Sequence, residues 1–127
     1  WQKVKGLITD KTKMIIINSP HNPSGRILSK SDMQQLEALL KNTNILLLSD
    51  EVYEHIIFDG EKHQSAALFP ALAERAFIVA SFGKTFHNTG WKVGYCIAPS
   101  YLTTNFILVI DNILSLCFQK KCIFVLK

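Results

Sequence analysis

The residue best placed to do chemistry is a lysine that follows an apolar strand. In the run Ala80-Ser81-Phe82-Gly83-Lys84-Thr85, Lys84 stands just past that strand, with Ser81 before it and Lys92 after it. A solvated lysine is only a surface charge, but one held at the mouth of a sheet can lose a proton and attack a carbonyl. Two upstream segments also follow apolar runs: His21-Asn22-Pro23-Ser24-Gly25, and Ser49-Asp50-Glu51-Val52-Tyr53. Taken alone, Asn-Pro-Ser-Gly is ordinary turn chemistry, and Ser81 or Lys92 reads as a loop or surface residue. Asp50 is different, because it follows Leu46-Leu47-Leu48 with only Ser49 between and is at risk of partial burial. A buried carboxylate calls for a cationic partner.

The elements that must position these residues follow from pattern. Met14 to Asn18 is a short β-branched run ending at a turn signal, as expected of a buried parallel strand. Ser29-Lys30-Ser31-Asp32 opens a helix in which Met33, Leu36, Leu39 and Leu40 share a face, giving a helix from about Lys30 to Lys41. Ile45 to Leu48 reads as a second strand and Leu68 to Glu74 as a short helix. Ala76 to Ala80 is the third strand, and Trp91 to Ala98 a fourth that Pro99 stops. This rhythm predicts an α/β fold, a mostly parallel sheet with helices on both faces. Ligands of such sheets bind beyond the carboxyl ends of the strands. Asn22, Asp50, Tyr53, Ser81 and Lys84 therefore converge on one crevice although none neighbours another motif in sequence.

Composition narrows the function classes. The 127 residues are 48% hydrophobic and 19% charged, which is globular and enough for a core. The net charge of +4 is dispersed over the chain without a basic stripe interleaved with aromatics, which argues against nucleic acid as a partner. The longest apolar run, Phe106 to Phe118, is 13 residues and contains Asp111, too short for a membrane span. Cys96, Cys117 and Cys122 are odd in number and lack metal-ligand spacing, so no metal site is expected, and a reducing compartment is favoured.

Two other spellings of the lysine segment fail. A phosphate-binding P-loop needs glycine where Ile78 stands. The Ser-x-x-Lys pattern of serine acylases, Ser81 to Lys84, places Gly83 in a turn that must be helical and lacks its companion elements.

As a set, Asn22-Pro23-Ser24-Gly25, Asp50-Glu51-Val52-Tyr53, Ser81-Phe82-Gly83-Lys84 and Gly90-Trp91-Lys92-Val93-Gly94 resemble the successive signatures of the class I/II aminotransferases, pyridoxal phosphate enzymes of fold type I. The wording is most similar to the kynurenine aminotransferases, which are also cysteine-S-conjugate β-lyases, and to bacterial methionine aminotransferases. The resemblance implies pyridoxal 5'-phosphate as cofactor, held by Lys84 as a Schiff base, with the freed amine then acting as general base. It implies that Asp50 pairs with the pyridine nitrogen, that Asn22 and Tyr53 bond the phenolic oxygen, and that Ser81 and Lys92 hold the phosphate. It further implies an amino acid of the kynurenine, glutamine or methionine type and a 2-oxo acid as substrates, and a homodimer.

The resemblance covers about Lys3 to Thr104. It divides the chain into residues 1–104, a partial cofactor-binding large domain, and 105–127, an atypical apolar tail. Two readings of the tail stand. Either Ser100 caps a helix through Thr104 to Leu116, or the end is a truncated or misspliced product or a translated non-coding extension; the second is preferred because Cys122 to Leu126 combines high β propensity with low charge. Neither Arg26 nor Arg75 matches the family's carboxylate-binding arginine. The fragment is therefore expected to be inactive alone, the alternative being a non-catalytic isoform that mispairs with a full-length partner. The expected compartment is cytoplasmic, or mitochondrial if a targeting segment precedes Trp1.

Overall fold

The computed structural model describes residues 1–103 and the backbone of 123–126. Its framework is a five-stranded sheet in sequence order. Strand β1 (Met14–Asn18) pairs in parallel with β2 (Leu46–Asp50), and β2 in parallel with β3 (Ala76–Ser81). Strand β4 (Gly94–Ile97) runs antiparallel to β3, and β5 (Ile123–Leu126) parallel to β4. The fold is α/β with a mostly parallel sheet, as the sequence predicts.

Helix α1 (Gln2–Leu7) has no counterpart in the sequence reading. Its six residues contain Gly6 and bury nothing, so no apolar periodicity announces it. It is fastened instead through its N-cap, Trp1, whose indole Nε1 donates to Asp32 Oδ1 at 2.9 Å.

Helix α2 (Lys30–Leu40) starts where the sequence says it should. Ser29 Oγ accepts from the Asp32 N–H, and the Asp32 carboxylate accepts from the Ser29 N–H, a reciprocal cap that satisfies two otherwise unpaired donors. Met33, Leu36 and Leu40 are buried by α2, whereas Leu39 is only half-buried. They pack with Leu47, Ala66, Phe69, Leu72, Ala76 and Ile78 into the main core on one sheet face.

The short helix before β3 divides in two, a 3-10 turn at Ala66–Leu68 and then α3 (Pro70–Ala73). The cause is Pro70. Its ring disfavours helical backbone at the preceding residue, and Phe69 accordingly adopts φ −117° and ψ 101° before the helix restarts.

The second face carries Phe77, Cys96, Ala98 and Leu102, packed against Leu46, Leu48 and Val79. A helical turn over residues 100–103 brings Leu102 onto it, so helical segments lie on both faces. At the β1 edge this face is open, with Ile16 68% exposed. The tail helix expected over residues 104–116 lies outside the described residues. No helix among the described residues is long and apolar enough to cross a membrane.

Candidate active site at the carboxyl ends of the strands

The motif residues lie at or just beyond the carboxyl ends of β1, β2 and β3. Asp50 is the last residue of β2, aligned with Asn18 of β1 and Val79 of β3. Asn22 follows β1 in an exposed loop; its Nδ2 donates to the Tyr53 hydroxyl at 3.4 Å. Lys84 Nζ lies 5.8 Å from the centroid of the Tyr53 ring, within cation–π range. Asn22, Tyr53 and Lys84, far apart in sequence, thus form one group.

Asp50 joins this group through a residue the sequence reading did not single out. Asn18 Nδ2 donates to the Asp50 main-chain oxygen at 3.2 Å, and Asn18 Oδ1 accepts from the Asn22 N–H at 3.0 Å. The Asp50 carboxylate itself accepts from the Val52 N–H at 3.2 Å. Asp50 and Lys84 form no ion pair among the described residues, so the cation that Asp50 was expected to face is not a protein group described here.

The lysine segment is helical, although Gly83 argues against a helical turn there. Ser81 ends β3 and caps α4 (Phe82–Thr85), its Oγ accepting from the Gly83 N–H at 3.2 Å. Glycine has poor helix propensity, but packing here is tight around it. A Cβ at position 83 would stand 3.1 Å from the Thr89 Cα and 3.3 Å from Ser81 Oγ. Gly94 is under a tighter constraint, because a Cβ there would meet the Ala80 carbonyl oxygen at 2.7 Å.

Lys92 also departs from expectation. The fourth strand begins at Gly94, not Trp91; residues Thr89–Trp91 form a 3-10 turn, and Lys92 follows it with φ 56°. This left-handed backbone is uncommon for a residue bearing a Cβ. Pairing of β3 with β4 seats Val93, the residue after Lys92, against the end of β3: Ser81 Oγ donates to the Val93 carbonyl at 3.5 Å and the Phe82 N–H donates to the same carbonyl at 3.1 Å.

Asp50 is partly buried, as its position predicts, but the fully buried carboxylate in this region is Glu51. Glu51 is 2% exposed, and Asp50 is half-buried. Strand alternation is the reason: consecutive side chains point to opposite faces, and Glu51 falls on the side of the main core. Its Oε1 accepts from Ser49 Oγ at 2.8 Å and from the Ala66 N–H at 2.9 Å, and its Oε2 faces His63 Nε2 at 2.8 Å. Burial works against its charge, yet the bonds from His63, Ala66 and Ser49 prevail and hold its pKa below the ordinary glutamate value. No spacing rule links His63 to Glu51, so the pair was not legible in the sequence.

Glu54, Glu51 and His63 each place one ligand-type atom within 4.8 Å of the others. Glu54 Oε1 accepts from the Tyr95 hydroxyl at 2.8 Å, and the Tyr95 ring lies 5.4 Å from that of Phe82, the first residue of α4. Burial first, and then the adjacent Glu54 carboxylate, push the Tyr95 phenol up to about 12. Burial alone raises the Cys96 thiol to about 11, which makes it a packing residue and not a nucleophile. An open groove of about 880 Å³ lies at the amino ends of β2 and β3, lined by Ile45, Arg75, Ile78, Ile97 and Tyr101; no motif residue borders it.

A parallel sheet with a lysine, an amide, a phenol and a carboxylate at its strand ends has the layout of a fold that holds a flat, charged cofactor. Residues 1–120 match the family described as aminotransferase class I and II. The chain belongs to that family. It is 46% identical over 101 residues to the kynurenine–oxoglutarate transaminase of Dictyostelium discoideum, covering 78% of this chain and 23% of that protein. Among solved structures, a methionine aminotransferase of Escherichia coli superposes with a TM-score of 0.80 at 45% identity, over 82% of this chain and 28% of that one. Cystalysin of Treponema denticola, described as containing a pyridoxal 5'-phosphate cofactor, gives a TM-score of 0.66 at 30% identity, over 71% and 23% of the two chains. The chain spans about a quarter of the length of the curated relatives it matches.

Proposed function

We propose that this chain supplies the cofactor-holding part of a pyridoxal 5'-phosphate aminotransferase, which moves an amino group from an amino acid of the kynurenine, glutamine or methionine type to a 2-oxo acid. Residues 1–104 are its part of the large domain, and the working protein is a homodimer. The observation that carries the reading is the group formed by Asn22, Tyr53 and Lys84 beside the Asp50 strand end.

The donor set fits the cofactor. Asn22 Nδ2 donates to the Tyr53 oxygen, so the phenol proton is free to point outward toward an acceptor such as the ring's phenolic oxygen. Val52 engages Oδ1 of Asp50, and among the described residues no protein donor takes Oδ2, which suits a protonated pyridine nitrogen. The charge that the half-buried Asp50 was expected to need would then come from the cofactor. Ser81 Oγ spends its proton on a long 3.5 Å bond to Val93, one it can exchange for a phosphate oxygen alongside the Lys92 ammonium.

When bound, pyridoxal phosphate supplies a sink for the electron pair released as the substrate's Cα proton leaves. Lys84 would hold the cofactor through Nζ, and its free amine would take the substrate's Cα proton. Asp50 would keep the pyridine nitrogen protonated. Asn22 and Tyr53 would stabilise the ionised phenolic oxygen, and Ser81 and Lys92 would anchor the phosphate.

The decisive experiment is borohydride reduction of the chain mixed with pyridoxal phosphate, followed by peptide mass mapping. A phosphopyridoxyl mass on Lys84, absent from Lys84→Ala, is the expected result. Label spread evenly over surface lysines would overturn the reading.

A further inference from the structure

We infer that Glu51 and His63 form a buried latch that positions Asp50 and Tyr53 for the cofactor. The inference rests on the aminotransferase reading above and extends it to two residues that touch neither cofactor nor substrate.

Asp50 and Glu51 are consecutive, with side chains on opposite sides of the strand end. A rotation of the peptide between them would swing both. Main-chain bonds limit that rotation in part, since the Glu51 N–H donates to the Val79 carbonyl at 2.9 Å and the Ser19 N–H donates to the Asp50 carbonyl at 3.1 Å. The Glu51 side chain completes the restraint. Its two oxygens take donors from its own strand, Ser49 Oγ, and from the distant 63–66 segment, the Ala66 N–H and His63 Nε2. Beyond it, the Glu54 N–H donates to the Glu51 carbonyl at 2.9 Å, closing the turn that carries Tyr53. Whatever fixes Glu51 therefore fixes the Asp50 carboxylate on one side and the Tyr53 hydroxyl on the other.

The chemistry of the contact specifies its roles. An ionised Glu51 can only accept, so the 2.8 Å contact to Oε2 is a hydrogen bond with a proton carried on His63 Nε2. His63 is 14% exposed and Glu51 3% exposed at their side chains. In so dry a setting a bond to a charged group is stronger than at the surface, and loss of the donor leaves an uncompensated carboxylate. The same histidine lies near Glu54, whose carboxylate receives the Tyr95 hydroxyl beside Phe82, so the latch also reaches the helix that bears Lys84.

The test compares His63→Leu, which fills the space without a donor, with His63→Gln, whose amide can donate to the same oxygen. The first readout is amide hydrogen exchange of the cofactor-free chain. His63→Leu should speed exchange at Val52 and Ala66 about tenfold, and His63→Gln should restore most of the protection. The second is the visible absorption of the chain saturated with pyridoxal phosphate, which reports the ionisation of the ring that Asp50 and Tyr53 hold. It should shift with leucine and return with glutamine. If His63→Leu does not fold, Ser49→Ala, which removes one donor to Oε1, carries the same expectations. Unchanged exchange and absorption in the leucine variant would overturn the latch, as would equal losses in leucine and glutamine. Failure of wild-type labelling at Lys84 counts against the aminotransferase reading alone, and the exchange data then decide the latch by themselves.

Discussion

Asn18 reaches across from β1 to the end of β2, its amide nitrogen 3.2 Å from the main-chain oxygen of Asp50, while its amide oxygen holds the Asn22 N–H at 3.0 Å. One side chain thereby sets the spacing between the loop that offers Asn22 and the strand that offers Asp50. Replacing Asn18 by alanine removes both bonds at a part-buried position. A loss of about 1–2 kcal/mol in urea unfolding is expected, with weaker pyridoxal phosphate binding in equilibrium dialysis. Full cofactor affinity in Asn18→Ala would show that the loop is positioned by something else.

Gly94 allows β4 to approach β3. Because a Cβ would stand 2.7 Å from a backbone oxygen, which no rotamer change can relieve, Gly94→Ala must push the strands apart. The expected cost is about 1–3 kcal/mol, read as a lower melting temperature. A matching substitution at Gly6, where nothing lies within 4 Å of the added carbon and helix propensity favours alanine, should be neutral or stabilising.

Glu51 sets a pH dependence whose sign follows from its lowered pKa. A carboxyl with a folded value below its unfolded value contributes fully above the unfolded value, about 4.3 for glutamate, and that contribution is lost as pH falls through the folded value. Thermal melts should therefore weaken on the acid side. Glu51→Gln should be less stable than wild type near neutrality and should flatten the acid limb. An unchanged slope there would assign the acid sensitivity to other groups.

Tyr95 titrates at about 12 through burial and the Glu54 carboxylate. Glu54→Gln removes the charge while keeping an acceptor, so the phenol should ionise at lower pH, though still above an exposed tyrosine. Difference absorption of phenolate against pH measures this. A rise in place of a fall would rule out Glu54 as a contributing cause.

The sequence could be read wherever the cause is local. Strand β1 over Met14–Asn18, the Ser29 cap of α2 and the placement of Lys84 after β3 depend on periodicity, capping chemistry and chain order, all of which are written in consecutive residues. The motif residues were likewise legible, because chemistry-bearing side chains must follow strand ends in this kind of sheet. The helical turn at Phe82–Thr85 was not. Local propensity argues against Gly83, and only the Thr89 backbone packed close against it shows a reason for a small residue there.

What the sequence determined by itself is therefore the α/β rhythm, the family and the roster of candidate groups at the strand ends. Tertiary structure decided which carboxylate is buried, that His63 and Ala66 meet Glu51, that Asn18 joins Asn22 to Asp50, and that Lys84 stands over Tyr53. The reason is physical. A hydrogen bond between residues twelve to thirty-two positions apart has no signature in spacing, because its geometry exists only after the sheet has brought separate strand ends to the same edge.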